Sequence, residues 1–348
     1  MSNRGDKGWV PADRKRMALF LTLALLLVAG TVLGLYAAGR QAELSTSGEE
    51  PVRGDLSGRF KELRTVVYND QEYQYRSGLT TVLLIGIDRA TEASHPTSRY
   101  RNGGQSDFIL LLVIDHQKKI TTPIQIDRDS MAEITILSVL GNPAGTRNLQ
   151  ICLSHSFGDG YEQSCLFTAD AVSKHLYGVE IDFFVSMNMA GISVLNEALG
   201  GVTVTLEDDF TKLDPTMKAG ETLTLHGKQA EYYVRNRLGI GVGTNESRMV
   251  RQKAYMSKAG DIINEKIQEN VNFIGTLFDA LKKDLTTNMS RGRMINEAYA
   301  SRDYYRADTI SPLGEHTIGD DGFVEFHADE AALEKLVIEL FFESAAAS

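Results

Sequence analysis

The chain has 348 residues, a formal net charge of −10 and 43% hydrophobic residues. Its length fits one large domain or two small ones, and its acidity argues against nucleic acid as a partner. The two cysteines, Cys152 and Cys165, and the scattered histidines form no metal-binding motif.

Residues 17–39 carry no charge, and the stretch MALFLTLALLLVAGTVLGLYAA is long enough to cross a bilayer at ~20 residues. Arg14, Lys15 and Arg16 precede it, while the next charges are Arg40, Glu43, Glu49 and Glu50. The positive-inside rule then places residues 1–16 in the cytoplasm and everything after Arg40 outside. A cleaved signal peptide is the alternative, but its apolar region usually spans only ~7–15 residues. The expectation is a single-pass protein of the cell membrane with an extracellular domain. Residues 40–62 read as a polar tether, and residues 63–348 as the domain it carries. Outside the cell the two cysteines are open to either a disulfide or free thiols.

Residues 63–75 read as a short helix or lead-in strand. Three strand signals follow at 80–87 (TTVLLIGI), 108–114 (FILLLVI) and 119–126 (KITTPIQI). The first two are continuous apolar runs, as in strands covered on both faces. Pro123 moves part of the third to an edge or a bulge. The tight polar turn at 115–118 makes the second and third antiparallel neighbours, and the loop 88–107 allows the first to pair antiparallel with the second. That arrangement brings Asp88, Asp107 and the triplet Asp127-Arg128-Asp129 to one edge of the sheet. The bland reading of each aspartate alone is a turn residue at a strand end. Together they suit a metal and phosphate site.

Helices are expected at 168–177, 189–199, 229–234, through 255–285 and at 333–342, with strands at 181–185 and 202–206. Residues 220–227 read as a turn. Helices alternating with strands predict an α/β fold, a central mixed sheet flanked by helices on both faces.

The segment LTLHGKQAEYYVRNRLGIGVGTNESRMVRQ sets Arg235, Arg237, Arg248 and Arg251 within seventeen residues. Arginine forms forked contacts to phosphate, and four beside a glycine-rich loop suit a multiply charged anion. Arg248, Arg251 and Gln252 share one face of a helix that starts at Thr244 or Asn245. A cation in that first turn opposes the helix dipole by roughly 0.3–1 kcal/mol, a penalty that a bound anion reverses. A solvated basic helix paired with carboxylates is the alternative.

The ordered motifs LLIGID, QSDFILLLVID, IQIDRDS, YGVEIDFFVSMNMAGISVLNEALGGVTV, LTLHGKQAEYYVRNR and NESRMVRQ resemble the LytR-CpsA-Psr family of membrane-anchored cell-wall glycopolymer ligases. The resemblance covers residues 80–252, with a compatible helical part at 253–348. It implies transfer of a glycopolymer from a polyprenyl-pyrophosphate carrier to a hydroxyl of peptidoglycan, at the cytoplasmic membrane. By the same resemblance Asp88 and Asp107 hold Mg²⁺ (or Mn²⁺). Asp107, Arg128 and Arg237 are catalytic. Gln105, Asp129, Arg235, Asn245, Arg248, Arg251 and Gln252 bind substrate, with Asp129 orienting Arg128.

Three positions depart from the pattern. Gln105 stands where the family often has arginine, Asp127 replaces the usual proline, and Asn245 sits where many members carry aspartate. These changes motivate the competing reading of a polyprenyl-phosphate-binding or regulatory protein that transfers nothing. A glycosidase using Asp208 and Asp209 is disfavoured, because adjacent side chains at a strand end point to opposite sides. His155, His175 and His226 are isolated in sequence and read as solvated or helix-terminal.

Overall fold

The computed structural model describes residues 65–88, 103–138, 141–237 and 239–345. The chain divides into residues 1–55 and 56–348. The basic tail, the apolar run 17–39 and the tether all lie outside the described residues. Among the described residues no helix is long and apolar enough to cross a membrane.

The described chain opens with a hairpin of β1 (Thr65–Tyr68) and β2 (Gln71–Tyr75), settling the helix-or-strand choice there. Its turn residues Asn69 and Asp70 both have positive φ, a conformation these two types tolerate. Next come β3 (Leu79–Ile87), β4 (Ser106–Asp115) and β5 (Ile120–Ile126), joined as the expected antiparallel meander. The β4–β5 turn is tight because the Asp115 carboxylate accepts the N–H groups of Gln117 and Lys118. A second hairpin, β6 (Met131–Leu137) and β7 (Pro143–Gln150), precedes helix α1 (Glu162–His175), which starts six residues earlier than the sequence suggests. Strand β8 (Phe183–Asn188) and helix α2 (Met189–Leu199) follow, the helix ending at Gly200 in the left-handed region as read.

Residues 220–227 hold more than a turn. They contain β10 (Thr222–Leu225), paired with β9 (Val202–Thr205). The helical stretch read at 255–285 is two helices, α4 (Asn245–Glu269) and α5 (Phe273–Leu281), preceded by α3 (Lys228–Arg235). The part read as helical beyond 253 is itself mixed. It supplies β11 (Leu285–Thr287), α6 (Arg291–Ala300), β12 (Tyr305–Arg306), the hairpin β13 (Gly314–Ile318) and β14 (Val324–Ala328), α7 (Glu330–Phe341) and β15 (Phe342–Ser344).

The central sheet has the order β11-β8-β3-β4-β5-β12. β8 runs parallel to β3 and β12 parallel to β5, so the sheet is mixed as expected. Pro123 sits beside the edge: β12 pairs only with Ile120 and Thr121, and the Pro123 carbonyl accepts Ile310 N–H. The missing proline N–H therefore breaks no ladder bond.

One sheet face, with Leu83, Ile85, Ile109, Leu111, Ile124 and Phe184, packs on α1 and α7 in the main core. The other face is equally apolar but less covered. There Val82 lies between Leu112 and Phe183, and Leu84 between Leu110 and Val185, with Met289 and Met294 packed nearby. A second core gathers α2, α3, α4 and β9–β10 around Phe210, Tyr233 and Tyr255.

Gly86 shapes the site end of this sheet. A Cβ there would meet the Phe108 Cβ at 2.9 Å. Gly86 pairs with Phe108 and Ile87 with Ser106, so Asp107 is the extra residue of a β-bulge. Bulges re-aim a side chain and raise local twist. Gly86→Ala should cost about 1–3 kcal/mol by overpacking this contact, read as a lower midpoint in chemical denaturation.

His175 closes α1. A helix C-terminus favours a charged imidazole by about 0.3–1 kcal/mol, yet burial wins and lowers the His175 pKa to about 4. Its Nε2 has no hydrogen-bond partner among the described residues. Below pH 6.5 the unfolded chain binds a proton that the folded one refuses, so stability falls as pH drops from about 6.5 to about 4. His175→Phe should flatten that part of the thermal-denaturation profile.

Candidate functional site

Three strand ends and the first turn of α4 meet at the bulge. Asp88 follows β3, and its carboxylate accepts the Gln105 N–H at 2.7 Å while its own N–H donates to the Gln105 carbonyl at 3.1 Å. Arg128 follows β5. Helix α4 is capped by Thr244, whose hydroxyl accepts the Ser247 N–H, which puts Arg248 at the end of the first turn. The expected edge of Asp88, Asp107 and Arg128 is therefore real, and α4 adds Arg248 to it.

Asp107 is the hub. One carboxylate oxygen accepts from Arg128 Nη1, and the other accepts from Arg248 Nη1 at 3.0 Å. Arg128 Nη2 donates to the Gln105 side-chain oxygen and to Cys152 Sγ at 3.0 Å. Asp129 Oδ1 lies 3.2 Å from Arg128 Nε, close enough to orient it but not aligned as a hydrogen bond. Arg248 Nε likewise has no acceptor among the described residues. Two buried guanidinium N–H groups thus want acceptors that this part of the chain does not supply. Buried donors are normally answered by protein, water or ligand oxygens.

The electrostatics follow from burial against charge. Burial works against the Arg128 cation, but its neighbours Cys152, Asp107 and Asp129 together outweigh it and hold the pKa above the ordinary arginine range. Arg248 goes the other way: burial lowers its pKa, and the positive charges of Arg128 and Arg237 add to the effect. Asp129 is raised, first by burial and then by Asp127, against the pull of Arg128, Arg248 and Arg237. The Cys152 thiol is pushed up to about 11 by burial, so at neutral pH it meets Arg128 as a neutral acceptor. Cys152 and Cys165 are both buried and both free.

Asn245 and Asp127 lie directly behind this hub. Asn245 accepts from Arg248 Nη2 at 2.7 Å and donates to Asp127 at 2.7 Å. The negative charge added by Asp127 is 5% exposed and faces His316, not the open site. No sequence signal marked His316, a lone histidine in a short exposed hairpin. His155 is not solvated: it is fully buried beneath the site loop, with Nδ1 3.1 Å from the Gly104 carbonyl.

Other expected residues stand elsewhere. Arg251 is 1% exposed, and its guanidinium donates to the carbonyls of Ser247, Tyr233 and Asn236. It lies over the Phe210 ring and 3.6 Å from Asp208. These bonds cap the open carbonyls at the end of α3 and neutralise that helix terminus, so Arg251 stands apart from the Asp107 hub that holds Arg248. Gln252 does the same, donating to the Val234 carbonyl and accepting from Gln125. Arg235 is exposed and paired with Glu231 within its own helix. Arg237, just past the braced terminus, is exposed and has no side-chain partner among the described residues. Asp208 is committed to Arg251 and Asp209 to the Thr211 N–H, which leaves no glycosidase-like pair of free carboxylates.

The LytR_cpsA_psr family model matches residues 49–338. The chain belongs to the LytR_cpsA_psr family. The match runs well past the 80–252 that the motifs cover, into the mixed carboxy-terminal part. The Bacillus subtilis polyisoprenyl-teichoic acid–peptidoglycan teichoic acid transferase TagU is 26% identical over 264 residues, 75% of this chain and 76% of that protein. Biofilm regulatory protein A of Streptococcus mutans is 25% identical over 286 residues, 78% of this chain and 62% of that protein. The chain thus spans less than two thirds of that second relative. The crystal structure of Bacillus subtilis TagV shares the fold of this LytR_cpsA_psr member, with a TM-score of 0.59 at 21% identity over 76% of this chain and 96% of that one.

The contrast between the arginines is testable. Arg251→Ala should cost about 2–4 kcal/mol, because it strips several buried acceptors at once. Arg235→Ala should stay within about 0.5 kcal/mol. Urea denaturation of both variants checks the pair.

Proposed function

We propose that this protein is a membrane-anchored phosphotransferase that moves a glycopolymer from a polyprenyl-pyrophosphate carrier to peptidoglycan. The observation that carries the reading is the pair of buried guanidiniums on Asp107, each with an Nε–H awaiting an acceptor. Diphosphate oxygens suit them in charge and geometry. Exposed Arg237 borders the same site closely enough to act on Asp129 and Arg248. The half-covered apolar sheet face around Leu84, Leu112, Phe183 and Val185 gives a lipid tail a surface. The names of the TagU relatives point to the same reaction class.

Phosphoryl transfer needs charge neutralisation and in-line positioning more than covalent help from the protein. Arg128, Arg248 and Arg237 neutralise the diphosphate. As its oxygens accept guanidinium N–H groups, Asp107 is relieved of part of its pairing and accepts the proton of the attacking hydroxyl. The new oxygen–phosphorus bond forms as the bond to the lipid phosphate breaks, and the lipid phosphate leaves with the electron pair.

Among the described residues no cluster of three metal-ligating side chains occurs. Mg²⁺ needs fewer, because it binds through one or two carboxylates with water and substrate phosphates. Asp88 and Asp107 offer hard oxygen donors of that kind, and Mg²⁺ or Mn²⁺ held there would add positive charge to the site. One motive of the alternative, a binder that transfers nothing, is the charge at Asp127, and that carboxylate is engaged by His316 and Asn245 behind the hub.

Arg128→Ala should lower transfer of a lipid-diphosphate substrate to peptidoglycan by roughly 10²–10³-fold, as for loss of one preorganised donor. Arg237→Ala should do the same while the melting temperature stays unchanged, because that side chain is exposed. Chelation of divalent ions should stop turnover and Mg²⁺ should restore it. Undiminished turnover in both variants would refute the assignment, and bound lipid that is never consumed would favour the binder.

A further inference from the structure

A second hydrogen-bond layer stands behind Arg248 and ends on the unmarked His316. Asp127 Oδ1 accepts from Asn245 Nδ2 at 2.7 Å and from the Asp129 N–H at 2.9 Å. Its Oδ2 lies 2.9 Å from His316 Nε2. Asn245, 7% exposed, passes the contact to Arg248 Nη2 at 2.7 Å. The orientation of that amide is forced: a guanidinium only donates and an ionised carboxylate only accepts, so its oxygen faces Arg248 and its nitrogen faces Asp127.

His316 is held by more than the Asp127 contact. Its Nδ1 stands 3.1 Å from Glu246 Oε1, at the start of α4, and its ring packs on Phe326 of β14 with centroids 4.9 Å apart. Each ring nitrogen thus faces one carboxylate, Nε2 that of Asp127 and Nδ1 that of Glu246.

We propose that His316 is a positioning residue for Arg248, acting through Asp127 and Asn245. This rests on the reading of the site as a diphosphate cradle. Both terminal nitrogens of Arg248 are committed, Nη1 to Asp107 and Nη2 to Asn245, so the plane of the guanidinium is set and its Nε–H points one way. Asn245 holds that plane only while Asp127 holds the amide. Asp127, 5% exposed, needs a partner for the oxygen that Asn245 does not reach, since a buried polar group left without one is costly. His316 supplies it from a different part of the chain, as an outer partner supports an inner ligand group. An aspartate at 245 would grip Arg248 directly and make the relay unnecessary. The asparagine here makes His316 necessary.

The test uses the full chain with inorganic pyrophosphate as the probe, read by titration calorimetry, and crystal structures of the variants. In His316→Ala, Arg248 should leave its 3.0 Å contact on Asp107. Pyrophosphate affinity should fall roughly fivefold, the worth of one hydrogen bond. His316→Gln, which keeps one donor toward Asp127, should recover part of the loss. In the Asp127→Asn/Asn245→Asp background, His316→Ala should cost nothing further. His327→Ala, on the same hairpin but paired with Glu325, should change neither readout. The proposal is overturned if Arg248 keeps its Asp107 contact in His316→Ala, or if the loss persists in the exchanged background. A wild-type chain that takes up no pyrophosphate would count against the cradle reading itself, and the crystal structures would still decide the relay.

Discussion

A single carboxylate holding two buried guanidiniums organises the functional end of this molecule. Placing an arginine in a protein interior costs several kcal/mol unless its charge and its N–H groups are answered. Asp107 answers Arg128 with one oxygen and Arg248 with the other. With Asp129 the charges balance in number, but the hydrogen bonds do not, because the Nε–H of each guanidinium stays without an acceptor among the described residues. The hub is assembled by the chain's own residues, with those two N–H groups left open among the described residues. That is the condition under which preorganised donors act on developing charge.

Features away from the hub make this arrangement possible. Gly86 lets β3 and β4 approach closely enough for the bulge that presents Asp107. Arg251 and Gln252 fasten α4 to the end of α3, which fixes the turn from which Arg248 projects and the loop that carries Arg237. The two departures at 127 and 245 meet in one hydrogen bond. The carboxylate absent from position 245 has a counterpart one layer back in Asp127, which stands between Asn245 and His316. Two positions far apart in the sequence are thus direct neighbours in space.

The parts legible in the sequence were those set by local rules. Two apolar runs, a third strand signal and one tight turn were enough to order β3, β4 and β5, and strand direction alone brought Asp88, Asp107 and Arg128 to one edge. Helical spacing put Arg248, Arg251 and Gln252 on one face of α4, correctly. Spacing does not say what stands opposite each turn of that face, and for Arg251 it is a row of helix-end carbonyls. His316 joins the site across 189 residues of chain, and no local pattern carries such a contact. β7 was missed because six of its eight residues are exposed, so it shows no apolar alternation. β11 and β12 are three and two residues long, too short to show a period.

The central claim is that Arg128 and Arg248 turn their unpaired N–H groups to one diphosphate. A crystal structure of the chain with a short prenyl diphosphate and Mg²⁺ tests it most directly. The account predicts diphosphate oxygens within hydrogen-bond distance of both Nε atoms and the prenyl chain along the half-covered face that holds Leu84 and Val185. A diphosphate bound elsewhere, with both arginines still closed on Asp107, would contradict it.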